Sequence, residues 1–169
     1  MKNTNDDTPI YQAMDQAQNF ACRCLADWKL TEWSFRWDYA KCRLGSCCFT
    51  RHEITLSIHF VMRNYENTEQ IHDTILHELA HALVWEHHRE RGHGPLWKSW
   101  CLRLGAIPRA VAKGEKLVSA PYRYAIRLKD TGEIVGRYYR RPRIARTLHQ
   151  LMLKGRPETK GMMELVVLE

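Results

Sequence analysis

The stretch Ile71-His-Asp-Thr-Ile-Leu-His-Glu-Leu-Ala-His-Ala-Leu83 contains the pattern H-E-x-x-H at residues 77–81. Residues four apart share one face of an α-helix, so His77 and His81 can bind one Zn²⁺ ion, with Glu78 beside them as a general base. Apolar residues recur through this stretch at helical spacing. Together with a capping signal at Asn67, they predict a helix over about residues 67–90.

A catalytic zinc site needs a third protein ligand, and the residues after the motif indicate which one. His87 stands where a metzincin has its third histidine, but Val84 replaces the glycine that breaks the helix there. A thermolysin-like site needs a glutamate from a following helix, and no Glu occurs between residues 90 and 115. We expect Gly92 to end the helix and the chain to turn back. His93 is therefore the predicted third ligand, and His87 is the alternative.

This ligand set predicts a hydrolytic mechanism. Three neutral imidazoles leave the fourth position of the zinc ion for water, whose pKa the ion lowers to roughly 7. Glu78 then takes the proton of this water as it attacks a carbonyl carbon, and passes it to the leaving amine. Because the sequence shows one ligand cluster, we expect one Zn²⁺ per chain.

The rest of the sequence predicts an α+β protein around this helix. Apolar spacing predicts a first helix over about 9–29, and Pro95 and Gly105 bound a short later helix. Alternating patterns predict strands at 33–37, 47–49 and 54–58, with a turn at 44–46. Residues 122–128 and 133–139 predict a β-hairpin, followed by a helix through Ile144, Leu148 and Leu151 and a final strand from Met163 to Leu168.

Charge is distributed unevenly along the chain. Residues 1–105 hold 12 Lys+Arg and 13 Asp+Glu, a net of −1, whereas residues 106–169 hold 14 and 6, a net of +8. The net charge of +7 therefore comes from the C-terminal third. Such an excess is typical of a region that binds a polyanion.

Composition also bounds the location of the protein. The first seven residues are polar and acidic, which argues against a signal peptide, and no apolar run reaches the roughly 20 residues of a membrane span. Without a secretion signal, the six cysteines are expected to be reduced thiols. We expect a monomer that is cytoplasmic (nucleoid-associated) or nuclear, not secreted and without a membrane partner.

Several motifs together resemble the SprT-like (Spartan-related) zinc metalloprotease family. They are Trp33-Ser-Phe-Arg-Trp37, Cys42-Arg-Leu-Gly-Ser46, Ile54-Thr-Leu-Ser57, Asp73-Thr-Ile-Leu-His-Glu-Leu-Ala-His-Ala82, His93-Gly-Pro-Leu-Trp97 and Leu104-Gly105. The resemblance implies a compact zincin-like core with H-E-x-x-H on its central helix and zinc held by His77, His81 and His93. It also implies that Glu78 is the catalytic base and that the protein cleaves proteins on DNA.

The resemblance covers about residues 10–108, so we expect a protease core at 1–108 and a separate region at 109–169. Many SprT-like proteins carry a zinc ribbon after the core, and residues 122–141 have the alternating residue pattern of its hairpin. No Cys follows Cys101, so thiolates cannot hold a second zinc ion there. Residues 109–169 thus resemble a zinc ribbon without cysteines.

Side chains of the basic region suit a nucleic acid, because cations bind phosphates and aromatic rings stack on unpaired bases. The candidate DNA contacts are Arg137, Tyr138, Tyr139, Arg140, Arg141, Arg143 and Arg146. The predicted function is a zinc endopeptidase that cleaves DNA-associated or DNA-crosslinked proteins, with single-stranded or junction-containing DNA as partner. The alternatives are a zinc peptidase of free proteins and a DNA-binding module with a structural zinc site.

Overall fold

The computed structural model describes residues 8–109 and 117–168, which fall into two compact units. The first comprises Met1–Ala120 and the second Pro121–Glu169. The first unit extends to Ala120 because Asn64 binds the backbone of Val118 twice: its Oδ1 accepts from the Val118 N–H at 2.9 Å, and its Nδ2 donates to the Val118 carbonyl at 3.2 Å. The sequence placed the boundary earlier, after residue 108, just before the undescribed residues 110–116.

In its described residues, the first unit combines four helices with a three-stranded sheet. Its elements are α1 (Thr8–Asp27), β1 (Ser34–Asp38), β2 (Gly45–Cys48), β3 (Glu53–Ser57), α2 (Ile58–Asn64), α3 (Thr68–His88) and α4 (Pro95–Leu104). The strand order is β1-β3-β2, with β1 parallel and β2 antiparallel to β3. The predicted α+β fold class is confirmed.

Helix α3 is the centre of this unit, packed against α1, α4 and the sheet. Its buried side chains include Ile71, Ile75, Leu79 and Leu83, the apolar series that predicted it. Asn67 caps its start, since the Asn67 Oδ1 accepts from the Gln70 N–H at 3.0 Å. Across the described residues, no helix is long and apolar enough to cross a membrane.

The C-terminal end of α3 was predicted too late. Arg89, not Gly92, terminates the helix: it has a φ of 54°, and its N–H donates to the Trp85 carbonyl at 3.0 Å. Gly92 also has a positive φ, 88°, in the loop that follows. The chain therefore reverses through two left-handed residues before it reaches His93.

Two further elements in this unit differ from their predicted bounds. The expected turn at 44–46 is the start of β2, because glycine lets the strand lie close to α3 at Gly45. The expected strand 54–58 ends at Ser57, whose hydroxyl accepts from the Phe60 N–H and so caps α2. Helix α2 has only seven residues, and its buried Phe60 and Val61 anchor it to the core.

The second unit is a small antiparallel sheet of three strands, β4 (Tyr124–Leu128), β5 (Ile134–Tyr138) and β6 (Met163–Val167), in the order β5-β4-β6. The predicted hairpin and final strand are present. The expected helix after Arg143 is instead two 3₁₀ helices, Arg143–Arg146 and Leu148–Gln150. The N–H and the hydroxyl of Thr147 both bind the Ile144 carbonyl, which closes a three-residue turn.

Candidate metal centre

Helix α3 presents the H-E-x-x-H residues beside the core. His77 is half-buried, while Glu78 and His81 are each 8% exposed. The intervening Leu79 and Ala80 are fully buried. Hydrophobic packing on one side of the helix thus fixes the direction of the motif residues.

His93 joins the two helical histidines from the loop between α3 and α4. Its Nε2 lies 3.2 Å from the Nε2 of His77 and 3.2 Å from the Nε2 of His81. Tetrahedral zinc with Zn–N bonds of roughly 2.05 Å places its ligand nitrogens about 3.3 Å apart. Both observed distances agree with a shared metal ion, and three imidazoles are a donor set that Zn²⁺ favours. Within residues 8–109 and 117–168, this trio is the group that could hold a metal.

The Trp97 ring contacts all three imidazoles. It is 1% exposed, and its ring centroid lies 4.7 Å from that of His77, 5.3 Å from His81 and 4.5 Å from His93. Sequence reasoning placed Trp97 on a short helix and missed its part in the site. The motif His93-Gly-Pro-Leu-Trp97, in which Pro95 starts α4 two residues after His93, is the signal that could have found it.

The environment keeps the histidines neutral, which is the form that binds a metal. Burial, followed by the proximity of His93, lowers the pKa of His77 to about 4, although Asp73 acts in the opposite direction. Burial and the two neighbouring imidazoles lower the pKa of His81 to about 3. Burial also lowers the pKa of His93.

Glu78 is enclosed between α3 and the sheet. Burial raises its pKa to about 8, with Arg43 opposing the shift and Asp38 adding to it. A Cβ atom at Gly45 would lie 3.1 Å from the Glu78 Cγ and 2.7 Å from the Thr55 carbonyl oxygen. Gly45 therefore leaves the space that the Glu78 side chain needs. Sequence reasoning had placed Gly45 in a turn and in one of the motifs of the family resemblance, and had given it no part in the site.

Two other histidines of α3, His87 and His72, lie outside the trio and stack on aromatic rings. His87, the alternative third ligand, stacks on Trp100 with ring centroids 5.3 Å apart and an interplanar angle of 7°. His72 stacks on Phe20 of α1, with ring centroids 3.9 Å apart. Neither side chain belongs to the histidine trio.

The six cysteines are free thiols. Cys101 is fully buried, and burial raises its pKa to about 12. Cys22 and Cys42 are exposed. No cysteine joins another metal-ligating group among the residues that the structure describes.

The candidate DNA contacts lie together in the second unit. All five arginines, at 137, 140, 141, 143 and 146, are exposed. Arg141, Arg143 and Arg146 line a cavity of about 610 Å³ together with Pro142 and Thr147.

The two tyrosines are less available for stacking on bases than the sequence suggested. Tyr138 packs against the core of the second unit, and its hydroxyl lies 2.8 Å from the position of a Cβ atom at Gly136. Tyr139 stacks on Tyr122 with centroids 4.4 Å apart. One face of the Tyr139 ring is therefore covered.

Comparison with known proteins agrees with this geometry. A segment of 41 residues is 44% identical to the germ cell nuclear acidic-1 protein of Caenorhabditis elegans, and it covers 23% of this chain and 8% of that protein. No solved structure gives a significant match. The model of the SprT-like family matches residues 10–116, which begin in the first turn of α1 and include α2 to α4 and the histidine trio. The chain belongs to the SprT-like family.

Proposed function

We propose that this protein is a zinc-dependent endopeptidase that cleaves DNA-associated or DNA-crosslinked proteins. The observation that carries the hydrolytic part is the convergence of three imidazole nitrogens from His77, His81 and His93 in the motif that also contains Glu78. Membership of a family generally associated with metalloprotease activity supports it.

In this proposal the three histidines hold the metal and Glu78 moves the proton. Zn²⁺ at this site supplies Lewis acidity that makes water nucleophilic near neutral pH. Glu78 accepts the proton from the attacking water and transfers it to the leaving amine. A glutamate with a pKa of about 8 in the metal-free protein ionises at lower pH beside a divalent cation, so it acts as a base at neutral pH.

Strand β2 offers a place for an extended peptide substrate. It pairs with β3 on one side and, among the described residues, with no strand on the other. An edge strand can add a peptide through main-chain hydrogen bonds. Because Gly45 of β2 lies against Glu78, a peptide bound there would run past the proposed base.

The arginines of the second unit support DNA as the partner. Outside the segment 137–146, Arg127 pairs with Glu164 at 2.7 Å and Arg156 pairs with Glu133 at 2.8 Å. Within that segment none of the five arginines forms an ion pair with a described residue. Their charge is thus free to bind phosphates, and the cavity lined by Arg141, Arg143 and Arg146 offers a concave surface for a phosphate.

The test is cleavage of a DNA-binding protein by the purified, zinc-loaded enzyme, with and without single-stranded DNA. We expect cleavage, and we expect it to rise when DNA is present. Glu78→Gln is the control, because it removes the base and none of the proposed ligands. Equal cleavage without DNA would support a peptidase of free proteins. DNA binding with full zinc content and no cleavage under any condition would support a DNA-binding module with a structural zinc site.

A further inference from the structure

The loop that carries His93 has few backbone hydrogen bonds. Residues 89–94 connect α3 to α4, and α3 ends at the left-handed Arg89 while α4 begins after Gly94. Among the described residues, the backbone hydrogen bonds of this loop are the caps at its two ends, Arg89 N–H to the Trp85 carbonyl and Lys98 N–H to the Gly94 carbonyl. Residues 90–93 form no backbone hydrogen bond with the described part of the chain, so side-chain contacts are left to hold this part of the loop.

The Arg91 guanidinium bridges two aromatic rings of the first unit. Its Cζ lies 4.8 Å from the centroid of Trp85, in the last turn of α3, and 5.1 Å from the centroid of Phe49, just after β2. The two rings contact each other with centroids 5.1 Å apart. Both distances to Arg91 are within the range of attractive cation–π interactions. Arg91 thus connects the middle of the loop to the last turn of α3 and to the turn that follows β2.

We propose that Arg91 is a positioning residue that holds the His93 loop ready for the metal ion. This inference rests on the proposed function, because it takes His93 as a ligand. His77 and His81 are already aligned by α3, whereas His93 depends on its loop. Without Arg91, binding the metal must also order residues 90–93, and that entropy cost reduces affinity.

The structure contains a matched control. Arg103, near the end of α4, bridges Trp28 and Trp100 in the same manner, with Cζ 5.7 Å and 4.6 Å from the ring centroids. Those two rings are 5.5 Å apart. Arg103→Ala therefore removes the same kind of interaction, and the same charge, without touching the His93 loop.

The experiment measures Zn²⁺ affinity of the full chain by competition with a chromophoric chelator, and the visible absorption of bound Co²⁺. Loss of two cation–π contacts predicts that Arg91→Ala weakens Zn²⁺ binding by about fivefold to thirtyfold. The Zn²⁺ affinity of Arg103→Ala should equal that of the wild type. Arg91→Lys should restore part of the loss, since an ammonium keeps the charge but not the planar contact with both rings.

A double-mutant cycle ties the effect to the aromatic contact. Phe49→Leu should also weaken Zn²⁺ binding, and the double variant Arg91→Ala/Phe49→Leu should lose less than the sum of the two single losses. Wild-type affinity in Arg91→Ala, or an equal loss in Arg103→Ala, would overturn the proposal. Wild-type affinity in His93→Ala would instead refute the ligand set. Affinity does not depend on turnover, so an inactive wild type would contradict the proposed function and leave the Arg91 result standing.

Discussion

At the scale of the residue, Glu78 carries a testable electrostatic cost. Burial raises its pKa to about 8 in the metal-free fold, against 4.5 in its ordinary state. Between pH 4.5 and pH 8, Glu78 is ionised in the unfolded chain but still protonated in the folded chain. The contribution of Glu78 to the free energy of unfolding therefore falls as the pH rises. Glu78→Gln cannot ionise and lacks this loss. We expect the free energy of unfolding of Glu78→Gln, minus that of the wild type, to rise between pH 4.5 and pH 8 by an amount on the order of 1 kcal/mol or more.

Urea denaturation of the chelator-treated proteins at several pH values measures this difference. The histidines are common to both proteins, so their titration cancels in the comparison. A difference that stays constant across the range would show that Glu78 ionises in the fold as readily as it does in water.

At the scale of the element, the contact between β2 and α3 determines where Glu78 lies. In Gly45→Ala the new Cβ would stand 2.7 Å from the Thr55 carbonyl, a backbone atom that cannot rotate away, and 3.1 Å from the Glu78 Cγ. Strand β2 must shift or Glu78 must move. Because small displacements of a catalytic base are costly, we expect kcat of the proposed peptidase to fall by about tenfold to a hundredfold while zinc content is unchanged.

Gly94→Ala is the matched control for this substitution. Gly94 is next to His93, has a φ of −69°, and a Cβ there would meet nothing within 4 Å. We expect nearly normal kcat in Gly94→Ala. Normal kcat in Gly45→Ala would mean that the close contact at β2 does not position Glu78.

At the scale of the whole molecule, the uneven charge predicts how the proposed binding to DNA depends on salt. Arg140/Arg141/Arg143→Ala removes three exposed arginines, and each lost phosphate contact should lower the slope of log affinity against log salt by about 0.9 on duplex DNA. We therefore expect weaker binding and a slope smaller by up to about three. Arg36/Arg51/Arg63→Ala lowers the net charge equally in the first unit. If both variants bind alike, the second unit is not the DNA-binding surface.

Two kinds of features could be predicted from the sequence. The H-E-x-x-H pattern needs only the period of the helix, and the N-cap and apolar spacing of α3 depend only on residues in and next to the helix. The hairpin β4–β5 follows from alternation on either side of Asp130-Thr-Gly132. In each case residues close together in the chain determine the structure.

The other features of the fold and the site depend on tertiary structure, because the contacts that form them join residues far apart in the chain. Helix α2 is too short to form by propensity and depends on Phe60 and Val61 packing into the core. Gly45 is required by Glu78 and Thr55 on other elements. His93 comes to the helical histidines through the left-handed turn at Arg89. The sequence by itself determined the chemistry of the proposed site, and packing between separate elements decided the distances at which that chemistry is arranged.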